Sequence, residues 1–122
     1  MDKKVSELLN DQINKEFYSA YLYLDMANFY ASKGLDGFAN WYEIQAKEEQ
    51  DHAMLFYQYM HNNSEVVTLD AIAKPDKAYT ELIDPLKAAL EHEKYVTSLN
   101  NAIYAAAQAA SGLASGVILV GG

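Results

Sequence analysis

The stretch WYEIQAKEEQDHAM, residues 41–54, decides the fold, because an apolar helical stripe here includes charged positions that would face the core. An amphipathic helix normally turns its apolar stripe inward and keeps its charges in water. Residues advance about 100° around an α-helix, so each side chain can be placed relative to its neighbours. The aromatic residues centre the inner face at about 30° from His52, which turns Glu49 and His52 inward. Glu48 lies at the flank of this face, and Asp51 points to solvent.

Helical periodicity extends in both directions from this stretch. Apolar residues at three- and four-residue steps predict a first helix at about residues 5–33, a second at about 36–61 and a third at about 79–110. The connection at about 62–78 is too long for a turn and, extended at about 3.3 Å per residue, spans the full second helix. We therefore expect an all-α bundle in one domain, with the third helix parallel to the second after one long crossover.

The same periodicity assigns inner faces to the second and third helices. The predicted inner side of the second helix carries Phe38, Trp41, Tyr42, Gln45, Glu49, His52, Phe56 and Tyr59. That of the third carries Leu82, Leu86, Ala89, Leu90, Val96, Asn100 and Ile103. We expect the two remaining histidines, His61 and His92, to lie in solvent.

Each of the three helices offers one inward carboxylate near its middle: Glu16, Glu49 and Glu93. Burying ionised carboxylates without partners costs several kcal/mol, so protons or a multivalent cation must fill such a cluster. With His52 as a fourth candidate, the mixed oxygen and imidazole donors suit iron, manganese or zinc, and the residues alone do not choose among them. Tyr23 is either a core residue or a hydrogen-bond donor to a metal-bound carboxylate.

Composition narrows the classes of function. The net charge of −8 argues against nucleic acid or an anionic membrane as partner and favours attraction of cations. The absence of cysteine excludes thiolate zinc sites and iron–sulfur clusters. The charged N-terminus shows no apolar run typical of a signal peptide, so we expect a cytoplasmic protein.

Three segments of the chain resemble the bacterial non-haem ferritins, in the family's order and spacing. They are LLNDQINKEFYSAYLYLDMA at 8–27, GFANWYEIQAKEEQDHAMLFYQYM at 37–60 and LKAALEHEKYVTSLNN at 86–101. The resemblance covers about residues 5–100 and implies a ferritin-like four-helix bundle. It also implies a di-iron centre that oxidises Fe(II) with dioxygen or peroxide and passes Fe(III) to a mineral inside a homo-oligomeric shell of 24 subunits.

The resemblance also implies residue roles. Glu16, Glu49 and His52 are similar to the ligands of the first iron, and Glu49 would bridge to a second iron that Glu93 binds. Tyr23 matches the family's tyrosine beside the centre. Glu48 matches a carboxylate near an accessory third iron position.

The C-terminal segment departs from the family. After Lys94 the chain carries no charge, and ASGLASGVILVGG at 110–122 resembles neither the fourth helix of ferritins, which supplies further ligands, nor their short fifth helix. We therefore expect the fourth helix to be absent or atypical, with an aberrant tail at 111–122. A ferritin-like scaffold or cation-binding module without ferroxidase activity stays open as an alternative. A rubrerythrin-like peroxidase fits less well, because Val96 stands where a second Glu-x-x-His would place its histidine.

Overall fold

The computed structural model describes residues 1–111 of the chain, and in this part it contains three long helices and no strand. They are α1 (Lys3–Ser32), α2 (Asp36–Asn62) and α3 (Asp84–Ser111). Gly34, with a φ of 73°, supplies the left-handed residue that turns the chain from α1 into α2. The predicted tail at 111–122 lies, apart from its first residue, outside the described residues.

The crossover between α2 and α3 runs along α1. Near the start of α1, the Asn10 side chain donates to the Thr68 carbonyl at 3.0 Å and accepts from the Thr68 amide at 2.8 Å. Near its end, the Tyr30 hydroxyl donates to the Leu82 carbonyl at 2.6 Å. The connection therefore returns the chain to the end of the bundle where α2 begins, and α3 runs parallel to α2. The predicted all-α bundle with one long crossover is confirmed.

Two apolar clusters form the core, one at each end of the bundle. One is built from residues of all three helices where α2 and α3 begin: Leu22, Tyr23, Met26, Ala27, Tyr30, Ala39, Tyr42, Ala46 and Ala88. The other lies at the opposite end: Val5, Leu9, Ile13, Phe56, Met60, Ile103 and Ala107. Between the clusters, α1 and α2 bury polar side chains, and this middle layer holds the candidate site.

The inner face of α2 differs from the predicted one. Its buried residues are Ala39, Tyr42, Ala46, Glu49, Ala53, Phe56 and Met60. They centre at about 90° from His52 rather than at about 30°. The reason is a seam of alanines that lets α2 lie close to α1, so that Phe38 and Trp41 stand at the flank, 51% and 53% exposed.

The start and the inner face of α3 also differ from the prediction. The helix begins at Asp84 rather than at about residue 79, because Pro85 fits only the first turn of a helix. The Asp84 side chain accepts hydrogen bonds from the amides of Thr80 and Glu81 and so holds the preceding residues in a turn. The buried residues of α3 include Ala88, Val96, Asn100, Ile103 and Ala107, whereas the predicted core residues Leu82, Leu86 and Leu90 are exposed.

Within residues 1–111, the backbone of α1 lies close to both other helices, whereas the backbones of α2 and α3 are not close to each other. Phe38, Trp41 and Leu86 line an open cavity of about 400 Å³ between the beginnings of α2 and α3. The described part therefore forms three sides of a bundle, which agrees with the expected absence of a regular fourth helix from it. Among these residues, no helix is both long and apolar enough to cross a membrane.

Candidate metal centre

Glu16, Glu49 and His52 converge between α1 and α2. Each offers one ligand atom, and these atoms all lie within 4.8 Å of one another. His52 Nδ1 is 3.4 Å from Glu49 Oε2 and 3.8 Å from Glu16 Oε2. Glu49 and His52 share one face of α2 because they are separated by three residues, nearly one helical turn. Two helices are thus enough to bring three ligand atoms close together.

The two carboxylates are buried more deeply than the imidazole. Glu16 is 1% and Glu49 4% exposed, and one oxygen of each, Glu16 Oε2 and Glu49 Oε2, has no hydrogen-bond partner. Among the described residues, no lysine forms an ion pair with either carboxylate. Burial raises the pKa of Glu16 to about 8, with a further contribution from the neighbouring carboxylate of Glu49. Burial likewise raises the pKa of Glu49.

These properties fit a divalent cation. First-row metal ions bind carboxylate oxygens and imidazole nitrogens, and the two oxygens here have no hydrogen-bond partner. A bound ion would also neutralise carboxylate charges whose burial otherwise costs free energy. Without an ion, binding of a proton removes the charge of a buried carboxylate. The raised pKa values of Glu16 and Glu49 reflect this preference for the protonated form. His52, with its side chain 22% exposed, leaves the cluster open on one side.

Glu93 lies apart from this cluster. It is half-buried on α3, and its Oε1 accepts a hydrogen bond from the Tyr23 hydroxyl of α1. The pKa of Tyr23 is raised by burial and by this hydrogen bond, so the phenol remains the donor. The structure therefore brings together three of the five predicted carboxylate and histidine ligands and connects a fourth, Glu93, to the predicted tyrosine.

Glu48, the predicted accessory ligand, is exposed on α2, as is Asp51. His92 is half-buried rather than in solvent as we expected, and its Nε2 is hydrogen-bonded to the Ser19 hydroxyl. The Ser19 hydroxyl also lies within hydrogen-bonding distance of the Lys15 carbonyl, at 2.9 Å. Burial lowers the pKa of His92, which favours the neutral form.

Gln12 is a buried polar residue beside the site that was not predicted from the sequence. It is 2% exposed, and its Nε2 donates to Glu16 Oε1 at 2.9 Å. Gln12 precedes Glu16 by four residues, so both lie on one face of α1. A glutamine one turn before a buried glutamate would have been a usable indication of this contact.

Comparison with known proteins shows the family to which the chain belongs. The family model described as "Ferritin-like domain" matches residues 6–120. The chain belongs to the ferritin family. The matched range includes most of the C-terminal segment that we expected to lie outside the resemblance.

Curated ferritins are similar to the chain over most of its length. The bacterial non-heme ferritin of Campylobacter jejuni is 35% identical over 103 residues, which are 84% of this chain and 62% of that protein. The bacterial non-heme ferritin of Staphylococcus epidermidis is 35% identical over 80% of this chain and 58% of its own length. The chain thus spans about three fifths of the length of these relatives.

Solved ferritins share the fold. A structure described as a humanized archaeal ferritin superposes with a TM-score of 0.89 at 36% identity, covering 94% of this chain and 70% of that one. An open-pore ferritin from the archaeon Archaeoglobus fulgidus superposes with a TM-score of 0.85 at 37% identity, covering 88% of this chain and 66% of that one. The cluster of Glu16, Glu49 and His52 is therefore carried by a ferritin bundle.

Proposed function

We propose that the chain serves iron storage and detoxification, binding Fe(II) as substrate at the centre formed by Glu16, Glu49 and His52. The observation that carries this proposal is the pair of buried carboxylate oxygens, Glu16 Oε2 and Glu49 Oε2, that lack hydrogen-bond partners beside an imidazole nitrogen. Membership of the ferritin family supports iron as the metal. The net charge of −8 favours attraction of Fe(II) to the protein.

We further propose that the centre oxidises Fe(II) with dioxygen or peroxide. Glu49 would bridge two ions, with Glu93 on the second ion and Tyr23 orienting Glu93 through its hydroxyl. Carboxylates stabilise the higher charge of Fe(III), and a pair of metal ions holds two electron donors close together. Glu48, exposed one residue before Glu49, would hold Fe(III) on its way from the centre.

Release of Fe(III) as mineral requires an enclosing shell. We propose that the chain contributes to a homo-oligomeric shell of 24 subunits, by analogy with the family. A cytoplasmic location stays a prediction. Sedimentation of the purified protein tests the shell, because a shell of this size and a monomer differ by more than twentyfold in mass.

Stopped-flow absorbance tests the ferroxidase proposal. After metal-free protein is mixed with Fe(II) in air, we expect a rapid absorbance rise that saturates at about two Fe(II) per chain. Glu49→Gln should abolish the rapid phase, because it removes a ligand charge while keeping the shape of the side chain. Asp51→Asn is the matched control, since it removes an exposed charge from the same helix and should leave the phase unchanged. A rapid phase that survives Glu49→Gln would refute the proposal.

A second candidate function is favoured by one observation, that Glu93 is bound to Tyr23 rather than placed in the cluster. The three assembled donors suit a single ion, so the chain could act as a cation-binding module of a ferritin-like scaffold without oxidising iron. Titration with Co(II) separates the two functions. One ion per chain together with no Fe(II) oxidation supports the module, whereas two ions per chain support the di-iron centre.

A further inference from the structure

Gln12 is a buried amide whose presence on α1 needs an explanation. It lies on the inner side of the helix next to Ile13, where an aliphatic residue would pack without burying polar atoms. Burying an amide costs free energy unless it is hydrogen-bonded. The hydrogen bond that Gln12 Nε2 donates goes to Glu16, a residue of the candidate metal centre.

This hydrogen bond makes the two oxygens of Glu16 unequal. Oε1 accepts from Gln12 at 2.9 Å, whereas Oε2 has no hydrogen-bond partner and lies 3.8 Å from His52 Nδ1. Rotation of the carboxylate away from this orientation would break the bond to Gln12. The amide therefore fixes the orientation of the Glu16 carboxylate and leaves one oxygen to face the other ligand atoms.

We propose that Gln12 is a positioning residue of the metal centre, which holds Glu16 so that only Oε2 is presented to the ion. This inference rests on the proposed function, because it assumes that Glu16 binds a metal. Gln12 acts through Glu16 and does not touch the ion. Hydrogen-bond partners of metal-binding carboxylates orient them in this way, and their loss typically lowers metal affinity by 10- to 100-fold.

Co(II) binding to the metal-free protein tests the proposal with readouts other than iron oxidation. Gln12→Met keeps an unbranched side chain of similar length and removes the N–H donor. We expect about tenfold weaker Co(II) binding by calorimetry. We also expect a weaker visible absorption of bound Co(II), because a freed Glu16 can bind through both oxygens and raise the coordination number.

Two further variants keep the result interpretable. Gln12→Leu removes the same donor with another shape and should reproduce both changes, even if Gln12→Met is poorly folded. Ile13→Val is the matched control, because it perturbs the packing of the neighbouring buried residue and leaves Glu16 untouched. It should keep the wild-type Co(II) affinity and spectrum.

The outcomes separate this inference from the proposed function. If the wild-type protein does not bind Co(II), the metal centre itself is refuted, and the role of Gln12 with it. If the wild-type protein binds Co(II) and folded Gln12 variants match it in affinity and spectrum, only the positioning role is refuted. Weaker binding with an unchanged spectrum would also overturn it, since general loosening of α1 lowers affinity without changing the way Glu16 binds.

Discussion

Replacing Glu16 with glutamine should stabilise the metal-free protein at alkaline pH. In the folded protein the pKa of Glu16 is raised from 4.5 to about 8, first by burial and then by the neighbouring carboxylate of Glu49. Between these two values the folded state holds a proton that the unfolded chain has released. Stability therefore falls as pH rises across this range, at up to about 1.4 kcal/mol per pH unit.

The size of the effect follows from the shift. A change from 4.5 to about 8 corresponds to about 5 kcal/mol if fully expressed, and we expect about 2–3 kcal/mol, because water and side chains relax around the charge. Glu16→Gln has the shape of the protonated acid. Its amide oxygen can accept from Gln12 as Oε1 does, while its amide nitrogen can donate to Glu49.

Urea unfolding followed by circular dichroism, in chelator at about pH 5 to 9, measures this difference. Wild-type protein should lose stability as the pH rises, and Glu16→Gln should lose less. The variant keeps a residual slope, because burial also raises the pKa of Glu49. Glu7→Gln removes an exposed carboxylate from α1 and should follow the wild-type curve. If the wild-type and Glu16→Gln curves run parallel, Glu16 titrates normally and the reasoning is refuted.

Three other substitutions test the packing around the centre and the contact between α1 and the crossover. Tyr23→Phe removes the hydroxyl that connects α1 to Glu93 and should lower the free energy of unfolding by about 1.5–3 kcal/mol in urea; no loss would mean that the hydrogen bond contributes nothing. Ala53→Leu forces a larger side chain into a fully buried position on α2 and should cost about 1–3 kcal/mol in thermal unfolding, whereas an unchanged melting temperature would contradict the close approach of α1 and α2. Asn10→Ala removes the side chain that both donates to and accepts from Thr68, so hydrogen exchange at the Thr68 amide should accelerate while global stability changes little; unchanged exchange would show that the crossover does not depend on this contact.

The helical bundle could be predicted from the sequence because the apolar residues repeat with the period of an α-helix. Apolar residues at helical spacing give three helices, and the length of the connection between the second and third implies their parallel arrangement. The sequence also predicted that Glu49 turns inward, since a 60° error in the centre of the face still leaves Glu49 on the inner side. The same error placed Phe38 and Trp41 in the core, because the prediction weighted large aromatic residues over the alanines that allow close packing.

The distances between helices could not be predicted, and they decide which ligands meet. Glu93 accepts a hydrogen bond from Tyr23 and is not one of the three residues whose ligand atoms converge, although its charge contributes to the raised pKa of Glu49. Phase gives only the direction of a side chain. Gln12 and Ser19 were missed for a different reason, since neutral polar residues on a helix usually face water and their burial depends on two helices covering α1.

The position of α1 between α2 and α3 accounts for the division of the site. Because α1 packs against both helices, it buries two faces and directs Glu16 toward α2 and Tyr23 toward Glu93 on α3. On the α2 side, Glu16 and Glu49 each already hold one oxygen, Oε2, free of hydrogen-bond partners, so in the proposed centre they would only have to lose a bound proton to receive an ion. Glu93 uses one oxygen, Oε1, to accept the hydrogen bond from Tyr23, so in the proposed centre its other oxygen would bind the metal. In the proposed centre, the α1–α2 side would therefore bind the first ion, and a second ion would depend on Glu93 of α3.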